Sequence, residues 1–272
     1  LDFIFLHKYP ANSKIPYNYN TVLLEEYCFY IIIDTVRVLK GGIMSNITYR
    51  LFKFYFKYRY KKPAIFGVEN YDSSFPAIFM SNHEKFYGPI IVTTRFPIPK
   101  RTWANSMTVE KEAARKYVAE SLFMGELGKG EKISRFYGYL LGTLVSLVIS
   151  GSNPIVAYWD NQRSRKSIRS GVEAIVNGEN QLMFARRREF TNDIITFLPG
   201  YLFISKVAAK KHNIVPKIYP VAVNKENSTI SIGKPTSLDI TLDYEKEHIR
   251  IDKYLADRIM TGYEEPAKMV SM

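Results

Sequence analysis

Four histidines occur in this chain of 272 residues. One of them, His83, follows Ala77-Ile-Phe-Met-Ser-Asn82, an apolar run of strand character that ends abruptly in a turn. A buried element that gives way to a loop is a place where a reactive side chain is presented, and an imidazole there can serve as general base near neutral pH. Three arginines also stand after strand-like runs: Arg163 beyond Pro154-Ile-Val-Ala-Tyr-Trp159, and Arg186 and Arg187 beyond Gln181-Leu-Met-Phe184. Guanidinium forks pair well with phosphate and carboxylate, so these residues are candidates to hold an acidic substrate. A turn histidine bonded to backbone and a solvated basic cluster are the plainer alternatives.

The elements that would position these groups alternate. Short apolar strands at 64–68, 77–80, 154–159, 181–184, 213–223 and 229–233 are separated by helical stretches near 89–94, 109–122, 167–176, 201–211 and 244–260. Asn177-Gly178 is a stop signal for the helix before it. Such alternation predicts an α/β fold with a largely parallel central sheet flanked by helices. In open sheets of this kind, sites gather at the carboxyl ends of the strands, where His83, Arg163, Arg186 and Arg187 all stand.

The N-terminal part reads differently. Residues 1–62 form an expected helical, membrane-facing appendage, and residues 63–272 the α/β domain. From Arg37 to Lys62 there are Arg37, Lys40, Arg50, Lys53, Lys57, Arg59, Lys61 and Lys62 and no acidic residue, with aromatics interleaved from Tyr49 to Tyr60. A basic helix of this composition suits the interface of an anionic bilayer, its lysine stems reaching headgroups while the rings sit lower. Packing on the chain's own domain is the bland alternative. Stacking on nucleic-acid bases is another, but no RNA-binding strand motif or zinc finger accompanies it.

The net charge of +12 asks for an anionic partner without naming it. With Cys28 the only cysteine, neither an internal disulfide nor a cysteine metal cluster can form, which suits a reducing compartment. The chain opens at Leu1 rather than methionine, which leaves a preceding segment open. Met124-Gly-Glu-Leu-Gly-Lys-Gly130 lacks the Gly-Lys-Ser/Thr ending of a phosphate loop and reads as an ordinary loop. Phe136 to Ile149 is apolar but interrupted by glycine, threonine and serine, and reads as a buried helix rather than a span.

Several pieces in order resemble the glycerolipid acyltransferase family, which includes 1-acylglycerol-3-phosphate acyltransferases. They are Ser81-Asn82-His83 at a strand end, Ser167-Ile-Arg-Ser-Gly-Val-Glu-Ala-Ile175 leading into Gln181–Phe184, Leu198-Pro-Gly-Tyr201, Tyr219-Pro-Val-Ala-Val223 and Ile230-Ser-Ile-Gly-Lys-Pro235. The resemblance spans about residues 64 to 260. It implies a membrane-associated enzyme, peripheral or monotopic on the cytoplasmic face, that moves a fatty acyl group from an acyl thioester to a hydroxyl of a lysophospholipid or related acceptor. His83 would be its base, and Asn82, Arg163, Arg186 and Arg187 would bind substrate. No metal or cofactor is implied. Acyl-CoA or acyl carrier protein would be co-substrate, anionic lipid the surface partner, and nucleic acid no partner.

Three motif positions depart from the family, one of them Trp159, which stands where an arginine usually follows the strand, with Arg163 and Arg165 nearby. The family's Asn-His is followed after four residues by an acid that orients the histidine, and here that position is Gly88. Its Phe-Pro-Glu-Gly motif is matched by Phe184-Ala185-Arg186-Arg187, which puts Arg186 where the glutamate stands. Glu84 and Asp160 are conceivable replacements for the missing acid. A catalytically impaired member that binds lipid or acyl carrier is therefore the alternative reading, and a basic nucleic-acid-binding protein a second.

Overall fold

The computed structural model describes residues 42–84, 87–126, 128–160, 162–185, 197 and 200–271. The helix expected at 21–39 and Arg186–Arg188 lie outside these residues. The described chain begins with α1 (Gly42–Arg59), which belongs to the same compact unit, Lys40–Met272, as the sheet. There follow β1 (Ala64–Phe66), β2 (Ala77–Ser81), α2 (Tyr87–Arg95) and β3 (Arg101–Asn105). Next come α3 (Ser106–Val109), α4 (Lys111–Tyr117) with a π-helical extension Val118–Glu126, α5 (Glu131–Gly151) and β4 (Ile155–Ala157). The rest is α6 (Ser164–Val176), β5 (Gln181–Phe184), α7 (Gly200–His212), β6 (Lys217–Asn224), β7 (Thr229–Ile232), α8 (Tyr244–Glu264) and α9 (Pro266–Ser271).

These strands form one seven-stranded sheet in the order β1-β7-β6-β2-β5-β3-β4. Every pair is parallel except the β6–β7 hairpin, so the expected largely parallel α/β architecture is the one observed. β2 is the middle strand, and all five of its residues are buried, as befits a strand covered on both faces. Its pleat divides them. Ala77 and Phe79 join Tyr87, Ile91 and Val92 of α2 in one core, while Ile78 and Met80 join Tyr201, Leu202 and Ile204 of α7 in the other.

The two cores follow from the direction of the crossovers. From β2 the chain passes through α2 to β3 on one side; from β5 it returns through α7, over β2, to β6 on the other. Right-handed crossovers running in opposite directions lay their helices on opposite faces of the sheet. β2 and β5, neighbours in the sheet, are therefore the strands at which the crossover direction reverses.

Local chemistry sets the element ends. α6 closes as the Asn177-Gly178 signal predicts: Glu179 N donates to Ala174 O at 2.8 Å and Gly178 N to Ile175 O at 3.0 Å, with Gly178 at φ 74°. At the other end of the chain, the Asp243 carboxylate accepts from Lys246 N at 3.1 Å and starts α8. Gln181, wholly buried, accepts from Trp103 Nε1 at 2.8 Å and donates to Gly171 O at 2.6 Å, tying β3, β5 and α6 together.

The helix at Glu131–Gly151 corrects one expectation. Only 33% of its most apolar stretch is buried, so it is not the buried core helix the sequence suggested. Apart from Val148, its buried residues are small or hydroxyl-bearing rather than large and apolar.

Candidate active site

Asn82 and His83 follow β2 directly, at the middle of the sheet. The Asn82 side chain continues the ladder that its backbone has left: Nδ2 donates to Val223 O at 2.8 Å, and Val223 N donates to Oδ1 at 2.8 Å. Both ends of the amide are thus engaged with β6, which fixes the peptide that carries His83. Asn82 was expected to bind substrate, and the structure places its amide against backbone. Nothing in the local sequence marks such a contact, because Val223 lies far away in the chain.

The His83 ring meets the Phe184 ring edge-on, with centroids 5.5 Å apart, and its Nδ1 is shielded from solvent. Phe184 ends β5, and the next residue, Ala185, donates its N–H to Ser81 O at 2.7 Å. The carboxyl end of β5 therefore lies against the imidazole, and that of β6 holds the residue before it. Arg186 and Arg187 continue from Ala185 in sequence and lie outside the described residues.

Glu84 takes a left-handed conformation, φ 35°, which a β-carbon normally disfavours. Its carboxylate is directed to Tyr263 near the end of α8. Burial pushes the Tyr263 phenol up, and the charges of Glu84 and Glu226 and the hydrogen bond with Glu84 push it further. Asn224 Nδ2 in turn donates to Tyr263 O at 2.7 Å, so the end of α8 is fastened to the end of β6 beside His83. Tyr263 escaped the sequence reading, since a tyrosine late in an amphipathic helix carries no signal of its own.

At Gly88, in the first turn of α2, the N–H donates to Glu84 O at 3.3 Å. A β-carbon there would lie 2.5 Å from His83 O and 2.9 Å from its carbonyl carbon. With the His83 carbonyl so close, only glycine fits at position 88, and an acidic side chain has no room there without a shift of backbone. The absence of the acid and the geometry of the turn are one feature.

Arg163 stands elsewhere. Its guanidinium is held by Asp160 at 2.8 Å and by Glu110 at 2.7 Å, and it covers the Tyr158 ring at 4.6 Å. Hydrogen bonds from Arg163 hold the Asp160 carboxyl below its ordinary range, and Asp160 in turn raises Arg163. Both follow β4, which is separated from β2 by β5 and β3. Three strand spacings amount to about 14 Å. The structure therefore does not bring Arg163 beside His83, and Asp160 is committed to Arg163.

No protein-family model matches the chain, and no curated protein sequence matches it. Among solved structures, the 1-acyl-sn-glycerophosphate (LPA) acyltransferase PlsC from Thermotoga maritima is similar over 90% of this chain and 95% of its own, at 15% identity and a TM-score of 0.51. The chain shares the fold of that acyltransferase. His83 follows β2 at the carboxyl end of the sheet, next to the strand at which the crossover direction reverses, the place that open α/β sheets use for ligands. Among the described residues no group of acidic, histidine or cysteine side chains could hold a metal ion.

Proposed function

We propose that the protein transfers a fatty acyl group from an acyl thioester, acyl-CoA or acyl carrier protein, to a hydroxyl of a lysophospholipid or related acceptor. The observation that carries this reading is the position of His83: directly after the central strand, anchored through Asn82 to β6 and set against Phe184 of β5. The His83 imidazole takes the acceptor's hydroxyl proton as that oxygen attacks the thioester carbonyl. The C–S bond then breaks, and the thiolate leaves with the proton returned by the imidazolium. Arg186 and Arg187 are assigned to the acidic headgroup or the phosphates of the acyl carrier. Arg163 joins them only if its pairs with Asp160 and Glu110 open on binding. Anionic lipid at the cytoplasmic face of a membrane supplies the acceptor, and the basic side of α1 faces its headgroups.

A second reading, binding of lipid or acyl carrier without turnover, is favoured by Gly88, which leaves the acidic position of the Asn-His motif without a carboxylate. One assay separates the two: transfer of labelled acyl chains from acyl-CoA to lysophosphatidate and other lysophospholipids, run with the parent and His83→Ala. Removal of a general base is expected to cost about 10²–10⁴-fold in turnover. Equal activity of parent and variant would sink the catalytic assignment. Acyl-CoA binding without any transfer by the parent would establish the second reading.

A further inference from the structure

α5 is built inside out. Its buried residues are Ser134, Gly138, Gly142, Thr143 and Ser146, with Val148 the one large apolar side chain among them. Outside, Phe136 is 61% and Tyr139 55% exposed, Ile133 is also exposed, and Leu140, Leu144 and Leu147 are only partly covered. A helix that packs on a water-soluble core has the reverse arrangement. The glycines let α5 press on α4 and its extension: a β-carbon at Gly138 would lie 2.5 Å from Ala119 Cβ, and one at Gly142 would lie 2.5 Å from Arg115 Cα. Helices whose outer surfaces meet hydrocarbon associate through small residues in this way.

The neighbouring helix extends the same kind of surface. Ile47, Leu51, Phe54 and Tyr58 recur at helical spacing along α1 and are all exposed, Phe54 at 75% and Tyr58 at 88%. One position before three of them stand Arg50, Lys53 and Lys57. At the start of α5 are Lys129, Lys132 and Arg135, the last paired with Glu131 at 2.6 Å. Apolar side chains bordered by cations on two packed helices fit an anionic bilayer leaflet. A second copy of this chain would bring the same cations against them, an arrangement that repels.

By length and composition α5 could cross a membrane. Its partner decides otherwise. α4 and its extension run beside it with Glu112 82%, Lys116 75% and Glu120 52% exposed, and these charges have no place in hydrocarbon. We propose that α5 lies in the plane of an anionic leaflet, its Ile133-Phe136-Leu140 side sunk among acyl chains and α4, whose Arg115 covers the Tyr139 ring, turned to water, with the exposed stripe of α1 beside it. The inference rests on the membrane location in the proposed function and not on the acyl-transfer chemistry.

The test uses the whole protein with Cys28→Ser, a polarity-sensitive dye on Phe136→Cys or on Lys116→Cys, and vesicles of phosphatidylcholine and phosphatidylglycerol with brominated acyl chains. The dye at position 136 should shift to the blue and be quenched, whereas that at 116 should do neither. The double variant Ile133→Glu, Phe136→Glu should bind vesicles at least about tenfold more weakly, since it drives two charges into the leaflet. An unquenched label at 136 on vesicle-bound protein overturns the proposal. So does a solution dimer that Phe136→Glu disperses, which would make a second copy the occupant. Because His83→Ala should still show the quenching, loss of transfer with quenching retained counts against the chemistry alone. Transfer to a water-soluble lysophospholipid without quenching counts against this inference alone.

Discussion

At the scale of single residues, the candidate site turns on two small features beside His83. Asn82 gives both ends of its amide to Val223, so the imidazole is carried on a strand end that cannot fray. Gly88 lets the His83 carbonyl approach so closely that a β-carbon would be 2.5 Å from its oxygen. Gly88→Asp, which by motif comparison would supply the missing acid, is therefore expected to lose stability, by about 1–3 kcal/mol as for other overpacked positions. Thermal melts should show the loss, and acyl-transfer rates should fall below those of the parent. A stable, more active Gly88→Asp protein would mean that the turn relaxes and that the site accepts a carboxylate there. Glu84 is the acid nearest in sequence to His83, and its partner is Tyr263.

At the scale of elements, the junction of α1, α2 and β3 carries a titratable group. Lys100 is partly buried: its Nζ donates to Val92 O at 2.9 Å, near the end of α2, and lies 5.0 Å from the centre of the Phe96 ring. Burial lowers it to about 7, and the charge of Lys53 on α1 contributes. The folded protein thus holds this amine neutral at a pH where the unfolded chain still protonates it. Between about pH 7 and the ordinary lysine value near 10.4 the unfolded state binds more protons, so stability rises with pH over that window; below it the full penalty applies. Lys100→Met should remove the contribution, leaving a flatter difference in stability between pH 7 and 10 and a more stable protein at pH 7. Chemical denaturation of parent and variant across that range measures it, and parallel pH profiles would show that the amine titrates normally.

At the scale of the whole molecule, α8 closes the fold. Ile251, Leu255 and Ile259 are buried in the core that also holds α6 and α7, and Tyr201 on α7 donates to Asp252. Full burial of three such side chains is worth roughly 5–9 kcal/mol, comparable to the entire stability of a domain. A chain ending at Asp243 should therefore lack cooperative unfolding in denaturant and fixed aromatic signals in near-ultraviolet circular dichroism. A cooperative transition in the truncated chain would show that the sheet stands without α8. The same helix reaches the site through Tyr263, so stability and site geometry share an element.

The sequence alone determined most of the alternation of strands and helices and the presentation of His83, but it missed β3, Arg101–Asn105, which has no continuous apolar run. Short apolar runs such as 77–80 and stop signals such as Asn177-Gly178 are local, and local physics reads them. It also showed, through the cations and rings of α1, that one helix has an unusual outer face. Tertiary structure alone decided the rest, because each remaining feature depends on neighbours distant in the chain. Strand order set Arg163 and Asp160 at the far side of the sheet from His83, although all three follow strand ends. The α5 segment is equally apolar whichever way it turns, and only packing against Ala119 and Arg115 shows that its glycines face in and its phenylalanine and tyrosine face out. Gly88 reads in sequence as a missing carboxylate. In three dimensions it is the residue that the approach of the His83 carbonyl requires.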